Sequence, residues 1–172
     1  MQSDVARNSF NISKFVGNYY ELALHDYTQF PVCFKGPRCM TSHKVYDPSL
    51  KQINDSFQLE CLGHDYGFTF HFKLTDIRGH FNGTASVFPE ILFPDTVVDF
   101  KEGEDGLYEW VIEVQCDEKF DHVWFVGINW YSRLNDTSTE YVDGLLDAAR
   151  ERGLGVYMDG GDWRLSCTSG WL

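Results

Sequence analysis

Apolar and polar residues alternate most cleanly over Tyr66–Thr75. Phe68, Phe70, Phe72 and Leu74 share one phase, and Thr69, His71 and Lys73 the other. A period of two is that of a β-strand, so the segment reads as a strand with one dry face and one wet face. Further strands are predicted over Gly17–His25, Cys39–Tyr46, Ile53–Leu62, Arg78–Phe88, Asp95–Phe100, Leu107–Cys116 and His122–Ser132. Turn residues separate them: Pro31, Gly36 and Pro37 in the loop Asp26–Arg38, then Asp47-Pro48-Ser49, Gly63, and the acidic Gly103–Gly106. Short strands with turn signals about every 8–12 residues suggest a sandwich or a barrel.

Two segments break the simple alternation. In Leu107–Cys116, Tyr108, Trp110, Ile112 and Val114 fall in one phase and Val111 in the other. In His122–Ser132 both phases are apolar: Trp124, Val126, Ile128 and Trp130 against Val123, Phe125 and Tyr131. A strand apolar on both sides is covered on both sides. The cover is expected to be the next element, a helix over about 139–152. Ser138 or Thr139 can cap it and Gly153 can end it. Its apolar stripe is Tyr141, Leu145, Leu146, Ala148 and Ala149. Ile12–Val16 reads as a short helical turn before the first strand, and Trp163–Cys167 as a short extended tail.

No repeat or linker divides the 172 residues, so a single domain over 1–172 is expected, with strands about 17–132, helix about 139–152 and tail 153–172. Hydrophobic residues make up 43% and charged residues 23%, which fits a globular chain rather than a disordered one. Acids outnumber bases 26 to 14, so a nucleic-acid or anionic-membrane partner is not expected. No apolar run reaches the ~18 residues of a spanning helix. Aromatics reach 16%, which suits a β-rich core and also a cavity lined with rings. Closure into a barrel would leave room for one small ligand, and the rings favour it over an open sandwich.

The five cysteines, Cys33, Cys39, Cys61, Cys116 and Cys167, show no metal-ligand spacing, and no metal site is expected. Their scatter suits disulfides in a secreted or luminal protein. Asn11, Asn54, Asn82 and Asn135 each begin an Asn-x-Ser/Thr sequon, which leans the same way and makes a glycoprotein the expectation. Met1–Phe10 is polar and shows no leader, so the chain is read as a mature form. The six histidines (His25, His43, His64, His71, His80 and His122) have no clustered spacing and are read as solvated surface residues. No Ser/His/Asp set or carboxylate pair marks a catalytic site, and no catalytic residue is assigned.

Asn11 to Ala23 reads Asn-Ile-Ser-Lys-Phe-Val-Gly-Asn-Tyr-Tyr-Glu-Leu-Ala. It resembles the opening block of the lipocalins, a short helix followed by Gly-x-Trp, with Tyr19 where the family has Trp. Lys35-Gly-Pro-Arg-Cys39 is similar to the second-strand cysteine segment of apolipoprotein D and the bilin-binding lipocalins. Trp124-Phe-Val-Gly-Ile-Asn-Trp-Tyr-Ser-Arg133 resembles the family's last strand, which ends in an arginine before the helix. The order and spacing of these blocks cover most of the chain. A more distant likeness is to the lipocalin-like domain of violaxanthin de-epoxidase.

The resemblance implies an all-β fold: an eight-stranded antiparallel up-and-down barrel with one C-terminal helix packed on the outside. It gives Gly17, Tyr19 and Arg133 the role of closing the narrow end, with the guanidinium over the ring. It implies a disulfide between Cys39 and Cys167, with Cys61–Cys167 as the competing pairing and Cys33, Cys61 and Cys116 otherwise unassigned. Candidate ligand contacts are Phe70 and Phe72 from their clean strand, then Tyr108, Trp110, Phe125 and Asn129. Family registers imply that Phe125, Gly127 and Asn129 point inward and that Trp124, Ile128 and Trp130 lie under the helix. Tyr27, Phe30 and Phe34 are candidates for a lid. The implied function is binding and transport or storage of a small hydrophobic ligand: a fatty acid, sterol, retinoid, bilin or carotenoid. No resident cofactor is implied beyond a bound lipid or pigment. The alternative is a xanthophyll-processing enzyme or pigment-associated subunit, in the thylakoid lumen, with a membrane-protein or pigment-protein partner. A third reading is an interaction module whose barrel is plugged by its own side chains.

Overall fold

The computed structural model describes residues 2–26, 33, 38–119, 122–136, 138–158 and 164–165. Only the backbone is described for Phe88, 117–119, 122–124 and 164–165. The chain opens with helix α1 (Asp4–Ser9) and the single turn α2 (Ile12–Phe15). Eight long strands follow: β1 (Gly17–His25), β2 (Arg38–Asp47), β3 (Gln52–Cys61), β4 (His64–Leu74), β5 (His80–Ala85), β6 (Phe88–Glu102), β7 (Tyr108–Lys119) and β8 (His122–Ser132). Helix α3 (Thr139–Glu151), the turn α4 (Gly155–Met158) and a two-residue strand β9 (Arg164–Leu165) complete it.

Each of the eight strands pairs antiparallel with the next, and β1 pairs with both β8 and β2. The sheet is therefore closed, an up-and-down barrel with no free edge along that seam. β1 serves three partners. Gly17–Tyr20 close the barrel on β2, while Ala23 and Leu24 receive β9 from the tail.

Closure sorts the side chains into two cores. The inner one gathers Phe15, Tyr19, Leu24, Met40, Ile53, Phe57, Leu59, Phe72, Phe81, Val97, Tyr108, Val111 and Tyr131. The outer one lies between the β1–β8–β7 wall and α3: Leu22, Ile112, Val114, Val126, Ile128 and Trp130 against Val142, Leu145, Leu146 and Ala149. This is why β8 is apolar in both phases. Ser138 caps α3 by accepting from the Tyr141 amide, and Trp130 satisfies its indole by donating to the Leu145 carbonyl at 3.2 Å. Each large side chain so buried contributes roughly 1.5–3 kcal/mol.

Asp99 ties the start of α1 and the end of α3 to the barrel. Ser3, which caps α1, donates to Asp99 Oδ1 at 3.0 Å, and Arg152 Nε donates to Asp99 Oδ2 at 2.7 Å.

Several boundaries depart from the sequence reading. β6 runs from Phe88 to Glu102, not 95–100: Pro94 pairs with Asn82 within the strand, and Pro89 lies at the register shift opposite Thr84/Ala85. Proline is tolerated where a ladder bond is already missing. Ser86 and Val87 form the turn, so β5 ends at Ala85. Helices α1 and α4 were not expected. Most of the loop Asp26–Arg38, including Tyr27, Phe30 and Phe34, lies outside the described residues, as do Trp163 and Cys167.

Candidate functional site in the barrel interior

One end of the barrel is sealed. Phe15 stacks on Phe81 with ring centroids 5.9 Å apart, and Phe10 packs edge-on against both. Arg133 lies across this end with its guanidinium carbon 4.4 Å from the Tyr19 ring centroid. Its Nη2 donates to the Val16 carbonyl at 2.6 Å and its Nε to the Tyr108 carbonyl at 2.8 Å. Gly17 has φ +114°, and a Cβ there would stand 2.7 Å from Arg133 Nη1. Only glycine admits both the backbone and the arginine. Burial pushes the Tyr19 phenol well above its ordinary pKa, so it stays neutral under the cation. The Tyr108 hydroxyl accepts from the Asn11 amide at 2.7 Å, which ties the turn α2 to the base.

Above the base, the wall carries a set of phenyl rings. Phe70 sits 5.9 Å from Phe57, 6.1 Å from Phe72 and 6.0 Å from Phe93, mostly edge to face. Gly83 makes room for them, because a Cβ would collide with the Phe93 ring and stand 2.9 Å from Phe72.

Between the rings and the base runs a polar belt. Lys44 is 1% exposed, and its ammonium lies 2.8 Å from Asp55 Oδ2 and 3.2 Å from Glu113 Oε1. It also stands over three rings, Tyr131, Phe15 and Phe72, at 4.7, 5.1 and 5.7 Å from their centroids. Burial works against its charge, but Asp55 and Glu113 outweigh that and raise its pKa above the usual lysine value. Ser42 donates to Asp55 Oδ1 at 2.7 Å, and Gln115 Nε2 lies 3.4 Å from Asp95 Oδ2. Burial pushes the Asp95 carboxyl well above the carboxylate range, and the Glu113 charge pushes the same way. Glu113 is also raised by burial, with Lys44 opposing. Toward the other end, Asn129 Nδ2 donates to Glu21 Oε1 at 2.5 Å, with Asp26 Oδ2 at 3.5 Å. Asn129 pairs directly with Glu113 across β7 and β8, so the two groups are neighbours in one belt.

The six ligand candidates fall in different places. Phe70, Phe72 and Asn129 face the interior, Phe72 and Asn129 buried and Phe70 partly buried. Phe125 shares the phase of Asn129, and its ring would stand 2.8 Å from a Cβ on Gly127, so it also faces inward. Tyr108 is inside, but at the sealed base. Trp110 is not inside: it packs with the outer core and, with Lys101, Tyr141 and Leu145, lines a groove of about 410 Å³ beside α3. A β-bulge at Lys101/Glu102 opposite Trp110 and Tyr108 lets the two tryptophan and tyrosine rings, two positions apart, fall on opposite faces. Ile128 and Trp130 lie under the helix.

The cysteines resolve in part. Cys33 bonds Cys61 and links the β1–β2 connection to the end of β3, so the Cys61–Cys167 pairing is excluded. Cys39 is disulfide-bonded, while Cys167, the partner implied for it, lies outside the described residues. His25 is buried at the end of β1, against the expectation of a solvated residue.

Sequence reasoning missed the polar belt entirely. The signal was present: Asp55 interrupts the otherwise apolar phase Ile53, Phe57, Leu59, Cys61, and Glu113 follows Val111 in the same way.

No family profile and no curated protein matches the chain. Solved structures do. Lobster apocrustacyanin A1 aligns with TM-score 0.69 and 12% identity, over 99% of this chain and 89% of its own. Insecticyanin from the tobacco hornworm Manduca sexta aligns with TM-score 0.64 and 15% identity, over 99% of this chain and 87% of its own. The chain has the lipocalin fold. A siderocalin, Ex-FABP, described as acting through dual ligand specificities, shares it with TM-score 0.61 and 17% identity, over 91% of this chain and 96% of its own.

Proposed function

We propose that the protein binds and carries a small, largely apolar ligand inside the barrel. The observation that supports this most directly is the ring-lined wall of Phe57, Phe70, Phe72 and Phe93 above a sealed base. Burying an apolar body against such rings yields about 25 cal/mol per Å² removed from water. The similar solved structures include a siderocalin described as having ligand specificities, which points the same way. The Cys33–Cys61 bond supports a secreted, oxidising setting. The bound molecule, a lipid or pigment, takes the place a resident cofactor would hold.

The test is mass spectrometry of the protein purified natively from its source, joined to fluorescence titration with retinol, a sterol, a bilin and a carotenoid. A stoichiometric small molecule, or saturable binding near one per chain, is the expected result. No bound molecule and no saturable binding would favour a barrel filled by its own side chains.

A further inference from the structure

The barrel treats the Asn-x-Ser/Thr sequons differently. Asn11 caps α2, its Oδ1 accepting from the Ser13 amide at 2.9 Å. Asn54 is half-buried in β3, and its Oδ1 is shared by Gln52 Nε2 at 2.7 Å and His71 Nδ1 at 2.8 Å. The next residue, Asp55, is held inside the barrel by Lys44. Asn135 is exposed, but the Thr137 that completes its sequon lies outside the described residues.

Asn82 stands apart. It sits in the middle of β5, exposed, and among the described residues its side chain makes no hydrogen bond. Asparagine is depleted from strands, so neither burial, bonding nor propensity accounts for it there. Phe81, Gly83 and Ala85 face the core, which turns Asn82 and Thr84 outward together. Gly83 between them answers to the interior, where a Cβ would collide with the Phe93 ring. The amide and the hydroxyl of this sequon therefore share the outer face of one strand. Asn82 is flanked there by Lys73 of β4 and Pro94 of β6. Among the described residues, the outer core under α3 takes nothing from β3, β4 or β5, so this wall is uncovered. A bulky, water-seeking group on Asn82 meets solvent and leaves the closed barrel undisturbed.

We propose that Asn82 carries an N-linked glycan and that Asn54 is bare. This rests on the secreted setting read from the Cys33–Cys61 bond. The transfer joins Asn82 Nδ2 to the anomeric carbon of a lipid-pyrophosphate-linked oligosaccharide. The bond from that carbon to the pyrophosphate breaks, and the amide gives up one proton. Thr84 supplies the hydroxyl that the acceptor sequence needs. The sugar then covers the wall that α3 leaves in water.

The test starts from protein purified from its own source, digested and treated with a peptide-N-glycosidase in heavy-oxygen water, which marks each glycosylated asparagine as a labelled aspartate. Asn82 is expected to be converted, at an occupancy at least fivefold above that of Asn54. In chains secreted from insect cells, Asn82→Gln and Thr84→Ala should each lose the mass of one glycan and keep the far-ultraviolet spectrum of the barrel. Asn54→Gln should lose none. An unconverted Asn82, or Asn54 converted as fully as Asn82, overturns the assignment, and oxidised Cys33 and Cys61 in the same sample leave the secreted setting standing. Recovery of Cys33 and Cys61 as free thiols overturns the secreted setting, and this inference with it.

Discussion

Lys44 and Asp55 face each other directly across β2 and β3, and their charges meet at 2.8 Å inside the barrel. Neither is reached by solvent, so the pair is held by geometry rather than by screening. Removing one member of such a pair strands the other. Lys44→Met is expected to cost about 3–5 kcal/mol, because Asp55 and Glu113 lose their common cation. Adding Asp55→Asn and Glu113→Gln to the same chain should recover most of that loss. Urea denaturation of the single and triple variants measures both, and a single variant within about 1 kcal/mol of wild type would refute the ion-pair account.

Asp95 predicts the opposite sign. Its carboxyl is raised in the folded state, so it favours the fold while protonated and weighs against it once ionised. That cost begins as pH passes the ordinary carboxylate value near ~4 and is complete only above the raised folded value. Asp95→Asn should therefore stabilise the protein at pH 7 by about 1–3 kcal/mol, with the gain shrinking toward pH 4. Thermal melts across that range are the measurement. A destabilised variant at pH 7, or a difference independent of pH, contradicts the assignment.

The seal at the base separates ring from hydroxyl. Tyr19→Phe loses the hydroxyl's bond from Arg133 Nη2 at 3.1 Å and its long donation to the Tyr108 carbonyl at 3.5 Å, and should cost about 1 kcal/mol. Tyr19→Leu also removes the face under the guanidinium and should cost about 1–2 kcal/mol more. Arg133→Lys should cost about 2–3 kcal/mol, since an ammonium cannot reach Val16, Tyr108 and the ring together. Equal losses for Phe and Leu at position 19 would show that the cation–ring contact is idle.

Cys33 and Cys61 close a loop with a sequence separation of 28. In the chain-entropy model a bond of that span contributes about 3–4 kcal/mol. The double variant Cys33→Ser/Cys61→Ser should lower the denaturation midpoint accordingly while preserving the far-ultraviolet spectrum of the barrel. Stability equal to wild type would mean that the connection is ordered without the bond.

Local pattern made some of this architecture legible and concealed the rest. The alternation of Phe68, Phe70 and Phe72 and the two-sided apolarity of β8 follow directly from which faces are buried, so strand and outer helix could be read from them. Trp110 could not be placed, because one extra residue in β7 reverses the phase and no pattern in the window marks where it sits. The pattern predicts a shorter β6 because no clean alternation runs through Pro89 and Pro94, which the strand nevertheless contains. The belt was hidden for a different reason: Ser42, Lys44, Asp55, Asp95 and Glu113 each look like solvated strand residues. Their burial emerges only when distant strands bring opposite charges together.

Phe10, Phe15 and Arg133 stopper one end of the cylinder, and this has a kinetic corollary. A blind tube admits no through-traffic, so a guest must back out along the path by which it came. Residence time is then governed at the rim stitched by Cys33–Cys61, and a change there should alter how long cargo stays without altering which cargo is chosen.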